Sequence, residues 1–260
     1  DQKYMDFLKE KAAKVSGDPE SLYPDSSDMK ISKGTEKVAR IAAGSVIKAC
    51  DKVLSGELKN AFCLVRPPGH HAMRDRAMGF CFYNNVALAA TYLTSSLNKS
   101  SQKINKVLII DWDLHHGNGT QSFFEKNDNV FYFSTHLQGI FPHNPAEEGQ
   151  EDKTTMNANI KSPIDGMKEI EQAFAKLEKE MDKFKPDFIL ISSGFDGHAE
   201  EKIVGGGFGL TDDDYIKLTS LAKNLAHKYC DGRIVSVLEG GYNVEALARS
   251  ILMHLQMLAE

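Results

Sequence analysis

The sequence contains no apolar run long enough to cross a bilayer, and its first residues do not form a signal-peptide pattern. Its four cysteines, Cys50, Cys63, Cys81 and Cys230, are scattered without a CxxC pair. A disulfide scaffold is therefore disfavoured, and a reduced, intracellular protein is expected. The Pro-Cys-x-x-Cys that a zinc nucleobase deaminase places after an HxE is also missing, which argues against that enzyme class.

An excess of positive charge is lacking as well. The chain has 31 Lys and Arg against 36 Asp and Glu, a formal net charge of -5. This balance argues against direct nucleic-acid binding but does not exclude a basic peptide substrate. The sequence shows no internal repeat or linker, so its 260 residues predict one domain over 1–260. The chain opens with Asp1 rather than Met, from which we expect an N-terminally trimmed domain.

Strand and helix patterns alternate along the chain. Because such alternation builds a parallel sheet covered by helices, the sequence predicts a single α/β domain with a mostly parallel central sheet and helices on both faces. The polar stretch 147–157 is predicted to be a loop. The predicted strands are 61–65, 106–110, 130–134, 187–193 and 233–238, and the predicted helices are about 34–54, 84–93, 168–184, 211–229 and 244–258.

Polar residues follow each predicted strand, in segments 66–71, 111–116, 134–136, 194–198 and 239–243. Ligands of open α/β sheets bind beyond the carboxyl ends of the strands, so these segments predict an active site. Asp111, Asp113 and His115 alternate along an extended segment and should share one face. Burying them without a cation or tight hydrogen bonds would cost several kcal/mol.

Asp113, His115 and Asp196 form a donor set suited to zinc or a similar divalent ion. Three protein ligands leave positions open for water and substrate, as a catalytic site requires. Such a metal would polarise a carbonyl and acidify its bound water.

A general base must lie within hydrogen-bond reach of that water, and His70 and His71 are available. Asp111 could orient His70 through a ring N–H. Tyr242, on a Gly-Gly turn, could donate its hydroxyl to a developing oxyanion.

Each of these residues also has a simpler interpretation. Asp113 and His115 alone could form a hydrogen-bonded strand end, and Asp196 could form an Asx turn. The paired histidines could be exposed, and Tyr242 could be an ordinary half-buried tyrosine. Five motifs together favour the catalytic interpretation.

The motifs RPPGHHA, GFCFYNN, DWDLHHGNGT, SSGFDGH and LEGGYN, in that order, resemble the zinc-dependent histone deacetylases. The resemblance runs from about Gly34 to the end, and RPPGHH and HHGNGT are more similar to class II than to class I. It implies the arginase/deacetylase-like α/β fold and hydrolysis of Nε-acetyl-lysine in proteins such as histone tails. It also implies corepressor complexes as partners, a role in chromatin and transcription, and residence in the nucleus, the cytoplasm or both.

The resemblance further implies a role for each matching position. Asp113, His115 and Asp196 match the zinc ligands, His70 and His71 the general base and acid, Asp111 and Asn118 their respective partners, and Tyr242 the residue that polarises the acetyl carbonyl. Gly79, Phe80, Phe141 and Gly241 match the acyl-lysine tunnel, and Asp111, Asp113, His115, Ser134 and Thr135 match a structural potassium site formed mostly by backbone oxygens.

The sequence departs from the family pattern at two places, and three other functions are considered. The segment after Asp196 lacks the usual acidic-Pro sequence, and the N-terminal part is short, with Asp28 as a candidate acidic rim residue. A small acylated amine such as an acetylpolyamine is an alternative substrate. A weakly active acetyl-lysine-binding scaffold is disfavoured because Tyr242 is present. A di-manganese arginase-like enzyme is disfavoured because His198 stands near Asp196 where further carboxylates are needed.

Overall fold

In the computed structural model, the residues described are 1–24, 28–98, 100, 102–143, 152–161, 164–202 and 207–260. The strands among them are β1 (Glu20–Ser21), β2 (Lys30–Ile31), β3 (Asn60–Cys63), β4 (Val107–Asp111), β5 (Val130–Leu137), β6 (Thr155–Ile160), β7 (Phe188–Ser193) and β8 (Ile234–Leu238). The helices are α1 (Gln2–Lys14), α2 (Thr35–Leu54), α3 (Asn85–Leu93), α4 (Asn118–Phe124), α5 (Gly166–Phe184), α6 (Asp212–Tyr229) and α7 (Val244–Ala259).

Six strands form one parallel sheet in the order β3-β8-β7-β4-β5-β6. The central strands β4, β7 and β8 are buried along their whole length. Such continuous apolar runs are typical of strands covered on both faces. The α/β prediction is confirmed, and every pairing in this sheet is parallel.

Alternate residues of the strands face two separate cores. Leu108 and Ile110 of β4 pack with α5 and α6 on one face, whereas Val107 and Ile109 pack with α2 and α3 on the other. The carboxyl ends of the strands therefore open at one edge between the two layers.

Helix boundaries follow local signals that the sequence carries. The amide of Thr211 donates to Asp214 Oδ2 over 2.9 Å, and the side chain of Thr211 accepts from the Asp214 amide, so α6 begins with a reciprocal capping box. Helix α5 buries one stripe that includes Ile170, Leu177 and Met181, as an amphipathic helix against a sheet should.

Four elements were not predicted: α1, the β1–β2 hairpin, α4 and β6. The loop prediction for 147–157 is wrong at 155–157, which begin β6; residues 147–151 lie outside the described part. Strand β6 is the last of the six and carries polar residues at partly exposed positions, so its apolar signal is weak. Likewise Ser134, Thr135 and His136 lie within β5 rather than after it.

Among the described residues, we find no helix with both the length and the apolar character needed to span a membrane.

Candidate active site

Three metal-competent side chains meet at the carboxyl edge of the sheet. Asp113 and His115 follow β4, and Asp196 follows β7, the neighbouring strand. His115 Nδ1 lies 3.1 Å from Asp113 Oδ1 and 3.0 Å from Asp196 Oδ2. One potential ligand atom from each residue lies within 4.8 Å of the others, and all three side chains are buried.

The second oxygen of each carboxylate is held by a backbone N–H. Gly240 donates to Asp113 Oδ2 over 2.8 Å, and Leu114 donates to Asp196 Oδ1 over 3.0 Å. Two glycines leave room for this arrangement: a Cβ on Gly194 would lie 2.2 Å from Asp113 Oδ2, and one on Gly240 would lie 2.4 Å from Asp196 Oδ2. The carboxylates are therefore oriented with one oxygen of each available to a common ligand.

The electrostatics of this group fit a divalent cation. The buried Asp196 Oδ2 faces His115 Nδ1 at 3.0 Å and, among the described residues, accepts no backbone N–H. Burial, followed by the charge of Asp113, raises the pKa of Asp196. Burial opposes the charge of His115, but hydrogen bonds to Asp113 and Asp196 outweigh it and raise the pKa of His115 to about 10. The two buried carboxylates therefore favour a positive charge next to them. An Asp-His-Asp donor set suits zinc.

His70 and His71 lie beside this group, each held by a different partner. His70 Nδ1 lies 3.2 Å from Asp111 Oδ2, and His71 Nδ1 lies 2.8 Å from Asn118 Oδ1. The two ring centroids are 4.0 Å apart. His70 Nε2 is 3.7 Å from Asp113 Oδ1, so the pair borders the metal-competent group directly.

The two imidazoles have opposite electrostatics. Burial disfavours the charged form of His70, but Asp113 and Asp111 outweigh burial and raise its pKa to about 10. Burial, then the charges of His70 and His115, lower the pKa of His71 well below its usual range. Neighbouring groups whose pKa values are driven apart are typical of acid–base machinery.

An aromatic cleft of about 450 Å³ leads to the group. The ring of Phe141 meets His71 edge-on with centroids 4.9 Å apart, and Phe80 lies 6.0 Å from Tyr242. Gly79 has φ +53°, and a Cβ there would lie 2.5 Å from the His71 ring, so glycine is required. The cleft is lined by Asp28, His71, Gly79, Phe80, His115, Phe141 and Tyr242.

Most predicted site residues therefore converge at this edge. Of the residues predicted to form the tunnel, Gly241 does not line the cleft. It lies on the adjoining turn, where its carbonyl accepts a hydrogen bond from Arg66. Asp28 lies at the cleft as an exposed residue, and its role at the rim stays a prediction.

Asp111 and Ser134, assigned by resemblance to potassium, are register partners on β4 and β5. The Ser134 hydroxyl lies 2.8 Å from His136 Nδ1, and the buried Thr135 hydroxyl has no hydrogen-bond partner among the described residues. Potassium binding stays a prediction.

Sequence reasoning gave no role to Glu239, although the residue is part of the LEGGYN motif. Its side chain is fully buried beneath the histidines. One oxygen accepts the N–H groups of Gly69 at 2.6 Å and His70 at 3.1 Å, and the other accepts the Ser192 hydroxyl at 3.0 Å. A charged residue directly after the apolar strand β8 was the available signal.

Comparisons with known proteins identify the family of the chain. The family model of the histone deacetylase domain matches residues 1–258. Histone deacetylase 4 of Caenorhabditis elegans is 36% identical over 260 residues, which cover 97% of this chain and 28% of that protein. A histone deacetylase-like amidohydrolase of Pseudomonas aeruginosa is 37% identical over 221 residues, covering 83% and 56% respectively.

Among solved structures, the crystal structure of the HDA15 HD domain superposes with a TM-score of 0.83 at 30% identity, covering all of this chain and 71% of that one. The chain therefore spans less than two thirds of either relative's length, although it covers most of the superposed domain. With the family match over nearly the whole sequence, these findings show that the chain belongs to the histone deacetylase family.

Proposed function

We propose that this protein is a zinc-dependent deacetylase that hydrolyses Nε-acetyl-lysine in proteins, histones among them, and releases acetate. The observation that carries the proposal is the buried group of Asp113, His115 and Asp196, which lies at an aromatic cleft beside a histidine pair of opposite electrostatics. Family membership supports a hydrolase of the deacetylase and amidohydrolase type.

The cleft suits an acylated lysine side chain. Its walls include the rings of Phe80 and Phe141, which match a neutral, flexible alkyl chain better than a charged one. The free ε-ammonium would lose hydration in such a cleft, whereas acetylation removes that charge. At the rim, Asp28 lies at the cleft as an exposed carboxylate, a group that can recognise N–H donors such as those of a peptide backbone.

Asp113, His115 and Asp196 would hold the metal. Zinc bound there would supply a Lewis acid that polarises a carbonyl and acidifies water. His71, neutral because its pKa is lowered, is suited to take a proton from water. Once protonated, it is a strong acid and can return that proton to the leaving nitrogen. His70, with Nδ1 3.2 Å from Asp111 Oδ2, would act with His71 as the other member of the acid–base pair.

Tyr242 is the candidate oxyanion donor. Burial, then the charges of Asp196 and Asp113, raise the pKa of Tyr242 far above its usual range. The phenol therefore stays protonated and can donate to a developing oxyanion.

The test replaces Tyr242 by Phe in the zinc-loaded protein. We expect kcat on an acetyl-lysine peptide to fall by ~10²–10³-fold, the usual cost of one oxyanion donor, while zinc stoichiometry is unchanged. Tyr92→Phe, whose hydroxyl bonds Asp51 on an outer helix, is the matched control and should keep full activity. Near-normal turnover by Tyr242→Phe would refute this role, and an inactive parent that still binds acetyl-lysine peptides would indicate a scaffold.

A small acylated amine is the second candidate substrate, because one relative is described as a histone deacetylase-like amidohydrolase. Comparing kcat/KM for acetylated histone peptides with that for an N-acetylpolyamine decides between them. Structural potassium at Asp111, Ser134 and Thr135, corepressor partners and nuclear or cytoplasmic residence belong to the same proposal. Activity that depends on potassium at fixed ionic strength would support the first of these.

A further inference from the structure

The turn that carries Tyr242 is held by a carboxylate from a distant part of the chain. Glu201 Oε2 accepts the N–H of Tyr242 at 2.7 Å and the N–H of Asn243 at 2.9 Å. The Glu201 residue is only 2% exposed. Two N–H donors on one buried charged oxygen form a strong, directional contact, because hydrogen bonds to ionised acceptors are about twice as strong as neutral ones.

The preceding carbonyl of the same turn is held from another direction. Arg66 Nη2 donates to the Gly241 carbonyl over 2.9 Å, and its guanidinium lies 5.9 Å from the centre of the Tyr242 ring. Gly241 has φ +125°, a conformation open to glycine and strained for other residues. Because two successive glycines precede Tyr242, the local backbone alone does not fix the direction of the phenol.

Glu201 belongs to the segment that follows the metal-competent Asp196. Its amide donates to the His198 carbonyl over 3.0 Å, and the His198 amide donates to the Phe195 carbonyl over 3.3 Å. The neighbouring Glu200 carbonyl accepts the side-chain amide of Asn243 over 2.9 Å. One short stretch of chain therefore links Asp196 to the Tyr242 turn.

We propose that Glu201 is a positioning residue: its carboxylate fixes the backbone of Tyr242 and Asn243 so that the Tyr242 hydroxyl faces the cleft. The inference rests on the proposed function, in which that hydroxyl donates to the oxyanion. Removing the carboxylate leaves two amides without their acceptor and frees a turn that begins with two glycines. A displacement of ~1 Å of a catalytic group can cost ~10²-fold in rate.

Kinetics of a double-mutant cycle test this role in the zinc-loaded protein. We expect Glu201→Ala to lower kcat by ~10–10²-fold and to change KM less than about twofold. The reason is that the Glu201 carboxylate acts only through Tyr242, whose hydroxyl donates to the oxyanion in the transition state. In the Tyr242→Phe background, the same change should cost little more. Glu201→Gln, whose amide oxygen can still accept both N–H groups, should recover most of the activity.

Glu200→Ala is the matched control, since Glu200 is exposed and its carboxylate pairs with Arg249 instead. It should stay within about twofold of the parent. An equal loss from Glu201→Ala in both backgrounds, or no loss in either, overturns the proposal. If Glu201→Ala fails to fold, Glu201→Asp replaces it; full activity with that shorter carboxylate would be equally contradictory.

A crystal structure of the Glu201→Ala or Glu201→Asp variant separates this inference from the proposed function. We expect the Tyr242 hydroxyl to move from its place in the cleft, and an unmoved hydroxyl overturns the positioning role. This result does not depend on turnover. An inactive parent enzyme would count against the deacetylase proposal alone.

Discussion

The change Glu239→Gln should alter how the stability of this protein depends on pH. Glu239 is buried beneath the histidine pair, with His70, Asp111 and Asp113 as its charged surroundings. Burial, opposed by the charge of His70, raises the pKa of Glu239 from 4.5 to about 7. Glutamine has nearly the same shape and can keep the amide oxygen on Gly69 and His70, but it does not titrate.

The size and sign of the effect follow from proton linkage. A carboxyl whose pKa is raised in the folded state stabilises the protein fully below the unfolded pKa and loses that contribution as pH rises through the folded pKa. The rise from 4.5 to about 7 corresponds to about 3 kcal/mol over the whole window, at about 1.4 kcal/mol per pH unit. Between about pH 5 and pH 8, the parent should therefore lose about 2–3 kcal/mol relative to Glu239→Gln.

Urea unfolding of both proteins at the two pH values measures this difference. The titrations are run in EDTA, because metal binding is itself pH-dependent and would otherwise enter the transition. Comparing parent and variant removes the titration of all other groups. Ser192→Ala is the matched control, since it keeps the titrating carboxyl and removes only a hydrogen bond that favours its charged form, so the loss of stability with rising pH should persist or increase.

Parallel pH profiles for parent and Glu239→Gln would refute the reasoning, because they would show that Glu239 has the same pKa in the folded and unfolded chains. A profile that diverges in the opposite direction, with the parent gaining stability as pH rises, would mean that the surrounding hydrogen bonds outweigh burial.

Three further predictions concern the metal-competent group and the core. Asp196→Ala should abolish stoichiometric zinc binding, measured by metal analysis after dialysis, because it removes one of three ligands. Gly240→Ala should weaken zinc affinity by ~10–100-fold in a chelator competition, because the new Cβ would lie 2.4 Å from Asp196 Oδ2; Gly44→Ala, which meets nothing within 4 Å, should not. Leu177→Ala should lower the free energy of unfolding by ~2–5 kcal/mol in urea, because the side chain is fully buried in α5.

The sheet was predictable because each of its central strands is a continuous run of mostly apolar residues in the sequence. The segment Val107–Asp111 ends in a carboxylate at the point where the sheet opens, and strand topology then brings Asp113 close to Asp196. Helix α1 and strand β6 were missed. The strand has only its two ends, Thr155 and Ile160, buried, so neither alternation nor a continuous apolar run marks it.

The supporting carboxylates could not be read from the sequence in the same way. Glu239 and Glu201 act on backbone N–H groups far along the chain, at Gly69 and Tyr242 respectively. A backbone amide is common to all residues except proline, so such a contact leaves no mark on residue type or spacing. A charged residue directly after an apolar strand, as Glu239 is after β8, indicates a buried carboxylate, but the N–H groups that it accepts are determined only in the folded chain.

The bond from the Gly240 amide to Asp113 joins positions 127 residues apart. A nascent chain that has not yet incorporated β8 lacks this support, so the ion pocket matures only when the last part of the sheet has formed. A metal bound by Asp113, His115 and Asp196 would join the segments that follow β4 and β7. At a free metal concentration of a hundred times Kd, such binding would add about 2.7 kcal/mol to the free energy of unfolding.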